Sequence, residues 1–177
     1  MGTMKIFIGS ASESLHVAKG VEYILKKSGH ITKRWDERNT FVPSTYTLTN
    51  LEKLAKEYDV AIFICSEDDT TISRGETFKS TRDNVIFEAG VFAGVLGHER
   101  VALCVHGTPK IPTDWLGLTR ICWTEELEEN ESQITLWLEN VPELKKNTVK
   151  TTVEGIRMMP RHEVVEKMTL EERWKYA

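Results

Sequence analysis

Several signatures of familiar chemistry are missing from this sequence. There are only three cysteines, Cys65, Cys104 and Cys122, and no C-x-x-C spacing. That odd, dispersed set excludes a disulfide framework and a cysteine-based zinc site, and fits small core residues in a reducing compartment. The five histidines form no H-x-x-x-H pair, and no G-x-S-x-G elbow occurs. Zinc-hydrolase and serine-hydrolase readings therefore have no support. Neither G-x-G-x-x-G nor a P-loop lysine motif follows the first strand. A dinucleotide fold of that type and a P-loop ATPase drop out. Basic charge is in deficit, with 23 Lys and Arg against 27 Asp and Glu, so a protein that mainly coats nucleic acid is not expected. The longest apolar run, 85–96, falls far short of the ~20 residues that span a bilayer, so no membrane segment is expected. No basic-then-apolar leader is seen, and a cytoplasmic location is the expectation.

What is present is an alternation of short apolar runs with helical patterns. Met4–Ile8 reads as a strand. Gly9-Ser10-Ala11-Ser12-Glu13 follows, with the S-x-x-E spacing of a capping box at Ser10 and Glu13. Val17, Ala18, Val21, Ile24 and Leu25 recur at helical spacing and Gly29 ends the helix. Ile31–Trp35 is a weaker strand, and Asp36–Ser44 a polar loop with proline. Thr49 and Glu52 repeat the capping-box spacing ahead of a second helix. Val60–Cys65 is continuously apolar, as a parallel strand covered on both faces must be. Ser66–Thr81 reads as a long polar loop, Asp83–Leu96 as a helix stopped at Gly97, Val101–Val105 and Arg120–Trp123 as strands, and Ser132–Leu138 as the start of a last helix. This order predicts an α/β fold, a flavodoxin-like open parallel five-stranded sheet flanked by helices. Residues 4–140 form the domain, and 141–177 a linker or tail with a short helix. In such sheets ligands bind beyond the C-terminal strand ends. Those ends carry Gly9–Glu13, Trp35–Ser44, Ser66–Asp69 and Gly107–Asp114.

Glu88 stands out, the one charge in the apolar run 85–96. A carboxylate there is costly to desolvate unless it reaches water or is put to use in a cleft. The small residues Gly90, Ala93, Gly94 and Gly97, with Ile86, share a face expected to seat on the sheet, which puts Glu88 on the opposite, covered side. It is either a catalytic group or a partly exposed glutamate favoured by the helix dipole. Ser10 and Ser12 either cradle phosphate or cap a helix. Asp36 and Asp114 either orient a ribose hydroxyl or cap turns. Trp35, Phe41 and Trp115 offer stacking surfaces or simply pack. Glu67-Asp68-Asp69 is a solvated acidic loop in preference to a Mg²⁺ site, so no metal is expected.

KIFIGSASES, a strand ending in CSEDD, RDNVIFEAGVFAGVLGHERV and IPTDWLGLT occur in this order. Together they resemble the TIR-like domain of bacterial anti-phage effectors, the nucleotide-binding family found fused to STING or SAVED sensor domains. The resemblance implies a TIR fold and an enzyme that cleaves NAD⁺ to nicotinamide and ADP-ribose or a cyclised product. NAD⁺ is then the substrate and no cofactor is needed. It implies that Glu88 is catalytic, that Asp114 is tied to NAD⁺ binding, and that Ser10 and Ser12 lie near the phosphates or ribose. Asp36–Ser44, which includes Phe41, corresponds to a loop used in assembly and gating. Homo-oligomerisation through TIR–TIR contacts and a fused or separate cyclic-nucleotide sensor are the implied partners. The alternatives are a non-catalytic scaffold acting by homotypic association, and a nucleotide sensor or transferase using the same pocket.

Overall fold

In the computed structural model, residues 2–37 and 48–142 are described. Phe41, the rest of the 38–47 segment and the tail beyond 142 lie outside the described residues.

Five strands form one parallel sheet: β1 (Lys5–Gly9), β2 (Ile31–Arg34), β3 (Val60–Cys65), β6 (Val101–His106) and β7 (Thr119–Trp123). Their order across the sheet is β2-β1-β3-β6-β7. Counting only these strands, this is the 2-1-3-4-5 order of flavodoxin-like folds, in which the strand order reverses between the first and third strands. The expected sheet is therefore the observed one. β3 lies at its centre, and all six of its residues are fully buried.

Alternate residues of the strands feed two cores, because successive side chains point to opposite faces. Ile6, Ile8, Ile62, Ile64 and Cys104 pack with Val17, Val21, Ile24 and Leu25 of α1 (Leu15–Lys27) and with Ile134, Trp137 and Leu138 of α4 (Leu127–Asn140). Phe7, Phe63, Cys65 and Leu103 pack on the other face, with Leu51 and Ala55 of α2 (Leu48–Ala55) and Val85, Ala89 and Phe92 of α3 (Asp83–Leu96). Phe92 stacks on Phe7 at 4.7 Å between ring centroids and meets Phe63 edge-on at 5.3 Å.

Several local expectations are corrected. Residues 66–81 are not a plain loop. They contain an antiparallel hairpin, β4 (Asp69–Ser73) and β5 (Glu76–Ser80), closed by Arg74 and Gly75. Both turn residues have positive φ, 55° and 83°, the geometry a two-residue hairpin turn demands. The Ser10–Glu13 capping box does not form. The chain makes an extra turn through Ser14, and α1 starts at Leu15 with no side-chain cap. Thr49 lies inside α2 rather than ahead of it. The last helix starts at Leu127, where the Asn130 side chain exchanges two hydrogen bonds with the backbone of Thr124, at 3.0 and 2.8 Å. Of the cysteines, Cys65 and Cys104 are core residues, but Cys122 is exposed.

Candidate active site

The seating of α3 decides where Glu88 points. Val85, Ala89 and Phe92 are the residues of this helix buried against the sheet. The expected glycine face is not the seat. Gly94 is exposed and a Cβ there would meet nothing within 4 Å; Gly97 ends the helix with φ 93°. Bulky apolar side chains won the sheet contact because they bury more area and fill the space left by Phe7 and Phe63. Gly90 faces sideways instead, where a Cβ would lie 3.4 Å from the Trp115 ring. Glu88 stands two residues, about 200°, around the helix from Gly90. It is therefore on the flank away from Trp115. Trp115 precedes β7, an edge strand of the sheet, and α2 packs against α3. Glu88 is thus half-buried, one turn from the Phe92 anchor.

The C-terminal strand ends supply the other groups. β1 ends at Gly9, where a Cβ would fall 2.4 Å from the Phe63 ring, so glycine is required by close approach. Ser10 follows, buried, and its Oγ accepts a 2.8 Å hydrogen bond from the Trp35 indole Nε1–H. Ser12 is exposed and its hydroxyl donates to Glu13 Oε2 at 2.9 Å. Asp36, past the end of β2, is held by Arg34, whose Nε and Nη2 donate to its two oxygens at 2.9 and 3.2 Å. These bonds hold its carboxyl below the ordinary range. Arg34 also pairs with the buried Glu22 of α1. Asp114 is exposed in a short 3-10 turn, Thr113–Gly117, whose Trp115 packs on the α3 face of the core. The structure therefore gathers Ser10, Trp35 and Asp36 at adjacent strand ends, and places Glu88 on the helix that leaves the hairpin.

Sequence reasoning missed the acidic tripeptide as an organiser. Glu67 accepts from the Thr108 backbone N–H at 2.8 Å and from its hydroxyl at 3.0 Å, and the backbone bond chiefly holds its carboxyl below the usual range. Asp68 accepts from the Ser14 hydroxyl at 2.6 Å. Asp69 lies 3.5 Å from Arg82, which also pairs with Glu13 at 3.2 Å. The legible signal was Arg82 itself, a cation at the start of a helix, where the dipole disfavours it unless carboxylates compensate. The three carboxylates diverge to different loops. Among the described residues, no group of His, Cys, Asp and Glu is arranged to hold a metal ion. No helix among them is long and apolar enough to cross a membrane.

Residues 5–125 match the family described as "CAP12/Pycsar effector protein, TIR domain". The chain is 32% identical over 133 residues to the Pycsar effector protein BcPycTIR of Burkholderia cepacia, covering 73% of this chain and 43% of that protein. It is 37% identical over 131 residues to PaPycTIR of Pseudomonas aeruginosa, covering 73% and 42%. It is 37% identical over 116 residues to CD-NTase-associated protein 12 of a Lachnospiraceae bacterium, covering 66% and 36%. The chain thus matches less than half the length of each of these relatives. Among solved structures, a prokaryotic SEFIR domain aligns at 15% identity and a TM-score of 0.49, covering 86% of this chain and 100% of that one.

Proposed function

Because the chain belongs to the CAP12/Pycsar effector TIR-domain family, we propose that it is an NAD⁺ glycohydrolase acting in anti-phage defence. The observation that carries this reading is Glu88, a half-buried carboxylate and the one charge in the apolar run 85–96 of a helix whose position is fixed by Phe92.

The reaction asks little of the protein beyond such a group. Breaking the bond between ribose C1′ and the pyridinium nitrogen sends the electron pair to that nitrogen. Nicotinamide leaves neutral, so no general acid is needed, unlike the two-carboxylate glycosidases. The sugar carries the positive charge in the transition state. A carboxylate held in a site of reduced dielectric stabilises that charge where it develops. Water then adds at C1′ and loses a proton, giving ADP-ribose; attack by a nucleophile within the substrate gives a cyclic product instead.

The other residues have supporting parts in this reading. Ser10, its oxygen engaged by Trp35, offers its O–H to a ribose or phosphate oxygen. Ser12 and Asp114 are both exposed and contact the ligand from its outer side. Asp36 acts with its charge already balanced by Arg34. Phe41 contributes a stacking surface. Assembly of several copies through TIR–TIR contacts completes the site, and a cyclic-nucleotide sensor, fused or separate, triggers assembly in the cell.

Incubation of concentrated protein with NAD⁺, followed by mass spectrometry, tests the reading. Free nicotinamide with ADP-ribose or its cyclic form is expected. Binding of NAD⁺ without cleavage would favour the sensor, and neither binding nor cleavage in an assembled sample the scaffold.

A further inference from the structure

The tripeptide Glu67-Asp68-Asp69 leaves the C-terminal end of β3, and a string of polar contacts runs on from its last member. Asp69 Oδ2 lies 3.5 Å from Arg82 Nε. Arg82 Nη2 lies 3.2 Å from Glu13 Oε1. Glu13 Oε2 accepts from Ser12 Oγ at 2.9 Å. Arg82 is the residue immediately before α3, and its carbonyl accepts the first backbone bonds of that helix, from Val85 and Ile86. One end of this string is therefore the serine loop after β1. The other is the start of the helix that carries Glu88.

Such contacts add little to stability. The three side chains are each more than two-fifths exposed, and exposed ion pairs contribute little. Their effect is on position. The serine loop has no side-chain helix cap; Trp35 and Asp68 hold its two ends, Ser10 and Ser14, and the Arg82 contact to Glu13 holds its middle, with Asp69 at the start of β4 reaching Arg82 from the other side. Small displacements of groups around a reacting bond cost rate far out of proportion to any loss of stability.

We propose that Arg82, held between Asp69 and Glu13, is a positioning residue that sets the separation between the serine loop and the Glu88 helix. The kinetic part of its test rests on the NAD⁺-cleaving reading; the exchange part does not.

The test compares the whole chain with Arg82→Gln, Glu13→Gln and the double variant. It follows nicotinamide release, amide hydrogen exchange and thermal melting. Arg82→Gln is expected to lower kcat about tenfold with a smaller change in KM. Glu13→Gln is expected to do likewise, and the double variant to be no worse than Arg82→Gln alone, because both break one string. Arg82→Lys, which can still reach one carboxylate, recovers part of the rate. Exchange of the amides of residues 10–14 is expected to rise about tenfold in both single variants, with melting temperature nearly unchanged. Unchanged exchange in that loop overturns the proposal, as do strictly additive losses. If the parent chain releases no nicotinamide, the exchange result alone decides, and raised exchange keeps the positioning role while the NAD⁺ reading falls. Should Arg82→Gln not fold, the exchange of Glu13→Gln decides in the same way.

Discussion

The indole Nε1–H of Trp35 donates to Ser10 Oγ at 2.8 Å, joining the ends of β2 and β1. Ser10 is buried, 6% exposed, and this bond engages its hydroxyl oxygen. Trp35→Phe keeps an aromatic ring and deletes the donor. It is expected to cost about 1 kcal/mol in a urea titration and to raise the KM for NAD⁺ several-fold. Ser10→Ala should raise KM in the same way, and the pair together no further. A Trp35→Phe variant with unchanged KM would separate this bond from ligand binding.

The anchoring of α3 gives two substitutions of opposite sign. Phe92 is fully buried between Phe7 and Phe63, and Phe92→Ala is expected to destabilise by about 3–5 kcal/mol. Gly94 lies in the last turn of α3 with open space where a Cβ would go. Gly94→Ala is therefore expected to stabilise by up to about 1 kcal/mol, since the backbone there is helical and alanine narrows the unfolded ensemble. Denaturant melts check both. Loss of stability in Gly94→Ala would mean that the glycine packs closely after all.

His30 should make stability fall on mild acidification. The Met4 backbone N–H donates to His30 Nδ1 at 3.3 Å, so the ring must be neutral to accept. Burial holds its pKa below the ordinary value. As pH falls below the unfolded value of about 6.5, the unfolded chain takes up the proton first. Stability is therefore level above that pH, declines through the window down to the lower folded pKa, and then levels again. Melting temperature measured between neutral and mildly acidic pH should show this decline, and His30→Gln should flatten it.

The sheet was legible because its strands carry the simplest signals. Val60–Cys65 is apolar throughout, and it is the central, doubly covered strand. The helix Asp83–Leu96 and its stop at Gly97 were equally plain. What sequence could not show was which face of that helix meets the sheet. It is apolar nearly all round, so periodicity gives no direction, and the choice fell to the aromatic cluster of Phe7, Phe63 and Phe92. The hairpin was hidden because its turn uses Arg74 at positive φ, a position where Asn, Asp or Gly gives the usual signal. The role of Glu67-Asp68-Asp69 was hidden because its partners Thr108, Ser14 and Arg82 lie in three other loops. Glu88, by contrast, announced itself as one charge in an apolar run, and the structure keeps it half-buried.

The most direct measurement is nicotinamide release from NAD⁺ by the full chain and by Glu88→Gln, at equal concentration and with assembly and folding checked in both. Glutamine keeps the size and removes the charge that would face the oxocarbenium ion. The account predicts release by the parent chain and a loss of at least about a hundredfold in the variant, within the range found when a single charge-stabilising group is removed from an active site. Turnover undiminished in a folded, assembled Glu88→Gln sample would contradict it.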